Sequence, residues 1–170
     1  MSIIIKYKTM KSTVAKASLD GIKEFMNQKN MALAGVSLNK MKFGNSLFKE
    51  LKNKNYTVYP VHPTLESFEG EKCYPDLNHL PSGVTALIIC TKPANVLPLV
   101  QEAVARNIRH IWLQQGAQND EAIRYAIDNG VNVIHRECVM MFANPVVSVH
   151  KFHRTLKKIF GGYPKSLNAN

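Results

Sequence analysis

Acidic residues are scarce in this sequence. Twelve Asp and Glu stand against 22 Lys and Arg in 170 residues, a formal net charge of +10. Such a balance suits nucleic acid, a membrane surface or an anionic small ligand. The cations are spread along the chain, densest at residues 40–54 and 151–158, and neither stretch has the aromatic interleaving of a single-strand-binding surface. Nucleic acid is therefore not the expected partner; a steep fall of oligonucleotide affinity with salt would be its mark. Cysteine is scarce too. Cys73, Cys90 and Cys138 are odd in number and far apart, and no CxxC occurs. That excludes a zinc ribbon and a disulfide framework. Cys90, inside the apolar run TALIIC, reads as a buried small hydrophobe. No apolar run approaches the roughly 20 residues of a membrane-spanning helix. The opening MSIIIKYKTMKS has three consecutive isoleucines but no signal-peptide core or cleavage site, so a cytoplasmic protein is expected.

What is present is an alternation of short apolar runs and helical stripes. SLDGIKEFMNQ (18–28) puts Leu19, Ile22, Phe25 and Met26 on one stripe behind Ser18 as N-cap. MALAGV (31–36) reads as a buried strand, and SLFKELKNKN as a helix with Leu47, Phe48 and Leu51 inward. YTVYPV (56–61) is a second strand, and a short third is expected near Lys72 to Tyr74. TALIIC (85–90) is the clearest strand. Then follow a helix over NVLPLVQEAVARN, with Val96, Val100, Ala103 and Val104 inward, a strand IRHIWL, a helix NDEAIRYAIDNG stopped by Gly130, and a strand VNVIH. Pro98 is tolerated in the first turn of its helix. The strands are continuously apolar, as in a sheet covered on both faces. The expected fold is a doubly wound α/β, Rossmann-like architecture. It has a mainly parallel sheet of about five to six strands with helices on both faces. The segment VSVHKFHRTLKKIFGGYPK reads as a basic amphipathic helix with Val149, Phe152, Leu156, Ile159 and Phe160 on its apolar side. The expected organisation is an extension (1–17), the α/β domain (18–142) and a C-terminal helix and tail (143–170).

Ligands of parallel sheets sit beyond the carboxyl ends of the strands. Four loops qualify: 35–46, 61–63, 91–95 and 113–118. The first is GVSLNKMKFGNS, where Gly35 ends a strand and Gly44 precedes a helix whose free N–H groups form a phosphate seat. It matches neither GxGxxG nor the Walker pattern. No acid ends the second strand, where Val61, His62 and Pro63 stand. That weighs against NAD and tolerates a ribose bearing a 3′-phosphate.

AGVSLNKMKFGNSLFKELKNKNYTVYPVHP, GEKCYPDLNHLPSGVTALIICTKP and IRHIWLQQGAQNDEAIRYAIDNGVNVIHRECVMM together resemble the stand-alone CoA-binding domain family. That family is related to the N-terminal domain of the succinyl-CoA synthetase α subunit. The resemblance covers residues 25–142. It implies phosphate contacts from Gly35, Val36, Ser37, Lys40, Gly44 and Asn45. It implies adenosine contacts from His62 and Pro63, a nucleotide wall from Thr91, Lys92 and Pro93, and a pantetheine path along Gln115, Gly116 and Ala117. The resemblance implies Asn before Pro63, where this sequence has His62. The implied cofactor is coenzyme A or an acyl-CoA, with NAD(P) second.

No paired carboxylates suited to acid–base work are found; Glu102, Asp120, Glu121 and Asp128 read as solvated or first-turn helix charges. His150 and His153 have a metal-compatible spacing but no nearby carboxylate or cysteine, and are read as surface or packing residues. His135 and Cys138 fall on the ligand side of the last strand; a nucleophile pair would need a hydrogen bond between them. A buried structural Cys138 is the simpler reading, a mixed disulfide with the CoA thiol the sharper one. Met140, Met141 and Phe142 are assigned to the core, and Trp112 to the packing between sheet and helix. The sequence thus points to a non-catalytic or regulatory CoA-binding protein. Two alternatives stay open: a component of an acyl-CoA-processing enzyme acting with a separate subunit, and an NAD(P) oxidoreductase-like protein. The basic C-terminal helix is a candidate surface for a partner or a second copy of the chain.

Overall fold

The computed structural model describes residues 17–146, 148–159 and 161–166. Residues 1–16 of the expected extension, the side chains of Val149 and Phe152, and Phe160 lie outside what is described.

Five strands form one parallel sheet: β1 (Asn30–Ala34), β2 (Thr57–Val61), β5 (Ala86–Ile89), β6 (His110–Gln114) and β7 (Asn132–Glu137). Their spatial order is β2-β1-β5-β6-β7, every neighbouring pair parallel. The remaining two strands, β3 (Ser67–Phe68) and β4 (Glu71–Lys72), pair antiparallel in a small hairpin apart from the sheet. The strand expected near Lys72 to Tyr74 is therefore not a sixth member of the sheet. Glu71 and Lys72 are polar, and two residues do not supply a buried run. Tyr74 makes only an isolated parallel bridge to Val61.

Side-chain alternation divides the core in two. Met31, Leu33, Ala86, Ile88 and Trp112 point to one face, where α1 (Leu19–Asn27) and α2 (Phe43–Asn53) bring Ile22, Phe25, Leu47, Phe48 and Leu51. Ala32, Ala34, Leu87, Ile89, Ile111 and Leu113 point to the other, under α3 (Val96–Ala105) and α4 (Asp120–Asp128). Both faces are covered, so the strands have no polar side to present, and this is why their sequences lack alternation. Ser18 caps α1 by accepting from the Gly21 N–H at 3.0 Å, and Asn119 caps α4 through Ala122 at 2.9 Å. Gly130 follows α4 with φ +69°. No described helix is long and apolar enough to cross a membrane.

After β7 the chain makes a 3-10 turn at Val139–Met141, and Met140, Met141 and Phe142 are buried as expected. Helix α5 (Ser148–Ile159) follows. Of the expected apolar positions whose side chains are described, Leu156 is half-buried and Ile159 is 69% exposed. Packing against neighbouring elements, which periodicity does not report, decides which stripe is covered. The tail then returns to the start of the fold, where the Leu19 N–H donates to the Lys165 carbonyl at 2.9 Å.

Candidate functional site

The strand order reverses between β1 and β5, and both following loops open at the carboxyl edge of the sheet. A cleft of about 1330 Å³ lies there. It is lined by Gly35, Val36 and Ser37 after β1, His62 and Pro63 after β2, Thr91, Lys92 and Pro93 after β5, and Gln115, Gly116 and Ala117 after β6. Residues assigned from four separate loops are thus brought into one cavity. The cleft runs from the β2 side to the β7 side, four strand spacings or about 19 Å. That shape suits a long, extended ligand.

Lys40, Gly44 and Asn45 do not line the cleft. Lys40 is exposed on the turn. Gly44 is a packing position: a Cβ there would come within 2.2 Å of the Gly35 carbonyl oxygen. Gly35 itself has φ +124°, and a Cβ on it would meet Cys90 at 2.8 Å. The two glycines let the first turn of α2 lie directly on the end of β1. Asn45 is a clasp. Its Oδ1 accepts from the Ser37 N–H at 2.9 Å, and its Nδ2 donates to the carbonyls of Ser37 at 2.8 Å and Asn39 at 3.0 Å. A side chain only 7% exposed thereby fixes the whole loop. Asn45→Ala is expected to lower stability by about 2 kcal/mol, because two carbonyls and one N–H lose their partner together. A urea titration measures this, and an unchanged midpoint would show that the clasp contributes nothing.

Helix α2 starts at Phe43, earlier than the sequence indicates, with Lys42 as N-cap and no side-chain capping bond. Helix α3 likewise begins behind Asn95 without a side-chain cap. The first-turn N–H groups of both helices therefore have no side-chain acceptor, and Lys42 and Lys92 stand on the cleft. Helix ends of this kind favour an anion. After β6, Gly116 takes φ +93° with no atom within 4 Å of where a Cβ would lie. Gln114, 5% exposed, accepts from the Val139 N–H at 3.1 Å and so joins this loop to the turn after β7.

The cleft has further walls that the sequence did not reveal. Asp76 and Glu102 line it. Glu102 is not a solvated helix charge: Oε1 accepts from Asn78 Nδ2 at 3.0 Å. Asp76 accepts from His79 Nδ1 at 2.7 Å, which holds its carboxyl below the usual range. Cys90 packs half-buried against the core, as a small hydrophobe, and also faces the cleft; burial pushes its thiol up to about 12, with Cys138 nearby adding to the rise. Cys138 also lines the cleft, whereas His135, 2% exposed within β7, does not. On the β7 side, α5 contributes His150, His153, Leu156 and Lys157, so these histidines are cleft residues rather than plain surface ones. Apart from Cys90, which directly follows β5, none of these groups lies in the loop after a strand of the switch point, and chain position alone carries no signal for them.

A parallel, doubly wound sheet with a glycine-bearing loop and two uncapped helix N-termini at its switch point defines a nucleotide-binding α/β protein. The model of the CoA binding domain family matches residues 29–144, and the chain belongs to that family. An acetate–CoA ligase (ADP-forming) I of Archaeoglobus fulgidus is 26% identical over 137 residues, covering 74% of this chain. The chain spans only 20% of that ligase's length. YneT of Bacillus subtilis, an uncharacterized protein, is 24% identical over 69% of this chain and 88% of its own. Among solved structures, a hypothetical protein from Pyrococcus horikoshii superposes with a TM-score of 0.71 at 27% identity, over 79% of this chain and 99% of that one.

Proposed function

We propose that this chain binds coenzyme A or an acyl-CoA in the switch-point cleft and serves as a carrier, sensor or regulatory component. The observation that carries the reading is the Gly35–Gly44 contact, which sets the uncapped start of α2 against the loop after β1. In this reading the backbone of Gly35, Val36 and Ser37 holds phosphates, with Lys40 and Lys42 adding charge. Gly44 and Asn45 shape the loop. His62 and Pro63 take the adenosine, and Thr91, Lys92 and Pro93 flank the nucleotide. The pantetheine follows Gln115, Gly116 and Ala117 toward β7. The absence of an acid at Val61-His62-Pro63 speaks against the ribose contact of an NAD site.

A second reading is a component of a CoA ligase working with a separate subunit. It is favoured by the kinship with an ADP-forming acetate–CoA ligase, of which this chain spans only a part. Two facts favour the binding reading. The one cysteine–histidine pair singled out in the sequence does not share the cleft, and the cleft's Lys157 is held by Glu137 at 2.6 Å.

Thermal melting with CoA, acetyl-CoA, NAD, NADP and ADP in equal excess tests the proposal. A ligand that binds only the folded state raises Tm by mass action. CoA at about 100 times its Kd is expected to add about 2.7 kcal/mol, a rise of roughly 5–10 °C. NAD alone producing the shift would overturn the reading in favour of an oxidoreductase.

A further inference from the structure

The far end of the cleft is made in part by residues that the family model does not reach. The match stops at residue 144, and α5 begins at Ser148. His150, His153 and Leu156 recur every three residues along that helix, Lys157 stands four beyond His153, and all four line the cleft. The helix is fastened in place. Lys157 Nζ donates to Glu137 Oε2 at 2.6 Å, and Arg154 Nη1 to the Met141 carbonyl at 3.5 Å. Beneath it, Cys138 and Met141 line the cleft while only 6% and 3% exposed. These two packed side chains form the floor of that end of the cleft.

We infer that α5 turns the β7 end of the cleft into a length-limited acyl compartment. It admits the free thiol or a short acyl group of a CoA thioester and rejects medium-length acyl chains, with Leu156 as the side chain that sets the limit. This rests on the CoA reading above. The floor of Cys138 and Met141 is apolar and accepts a few methylenes. Beyond it, a longer chain meets the imidazoles of His150 and His153 and the Lys157–Glu137 pair, and must displace the helix or desolvate those groups. Among the described residues of α5 that line the cleft, Leu156 is the one apolar side chain.

Calorimetric titration of the full chain with CoA, acetyl-, butyryl-, hexanoyl- and octanoyl-CoA tests this. Affinities for CoA, acetyl-CoA and butyryl-CoA are expected to lie within a few-fold of one another. A fall of about tenfold or more is expected by octanoyl-CoA, the discrimination available when a pocket is full. Leu156→Ala should move the fall to longer chains, and Leu156→Trp to shorter ones. Equal binding of octanoyl-CoA and CoA would overturn the compartment while leaving the cofactor reading intact. So would a fall that neither variant moves. A chain that binds no member of the series, CoA included, overturns both.

Discussion

Gly44→Ala is expected to destabilise the protein by about 3 kcal/mol and to abolish the thermal shift produced by CoA. The added methyl would sit 2.2 Å from the Gly35 carbonyl oxygen and 2.8 Å from the Gly35 carbonyl carbon. Both are backbone atoms, so no rotamer change relieves the clash. Helix α2 must lift from the end of β1, or the β1 loop must shift. Overpacking of this kind costs about 1–3 kcal/mol, and more where the obstacle is main chain. For a chain of this length that is a fall in Tm of roughly 6–12 °C. Any shift also moves Ser37, whose N–H is held by Asn45 one residue beyond Gly44. Melting curves with and without CoA read both consequences. A variant with native Tm and native CoA shift would show that the glycine contact does not shape the site.

Trp112→Ala should have the larger effect on stability alone. Trp112 is the only tryptophan in the chain, fully buried, and lies outside the cleft. Its ring meets Phe25 of α1 edge-on at 5.2 Å and Phe142 at 5.8 Å. Its Nε1–H donates to the Glu137 carbonyl at 3.1 Å, so truncation also orphans a buried acceptor. Removing a core tryptophan costs about 3–5 kcal/mol, a large part of the 5–15 kcal/mol that holds an ordinary domain together. Far-UV circular dichroism in urea, which needs no tryptophan signal, measures the loss. Trp112→Phe is expected to recover part of it by filling the volume. A loss below about 1 kcal/mol in the alanine variant would mean that the α1–β6 layer collapses around the gap.

The central strands were readable because each is a continuous apolar run, and burial on both faces demands that composition. Met31 to Ala34 and Ala86 to Ile89 show it directly. The β3–β4 hairpin was not readable, since Ser67, Glu71 and Lys72 carry no apolar period. In the candidate site, loops that end strands were legible from one topological rule. Asn45 was legible as a residue but not in its role, because a loop clasp depends on the path of Ser37 and Asn39 in space. Glu102 meets Asn78 across 24 residues of sequence, and α5 reaches the cleft after the turn at Val139–Met141, where Lys157 meets Glu137. Contacts between distant segments leave no period in a sequence.

The tail that follows α5 closes the chain upon itself. The Lys165 carbonyl accepts from the Leu19 N–H, and Ser166 Oγ donates to Asp20 at 2.5 Å across 146 residues of sequence. Bonds between such remote positions close a long loop of chain. The first helix and the segment that follows α5 therefore hold one another, and loosening either end of the described fold would release the other.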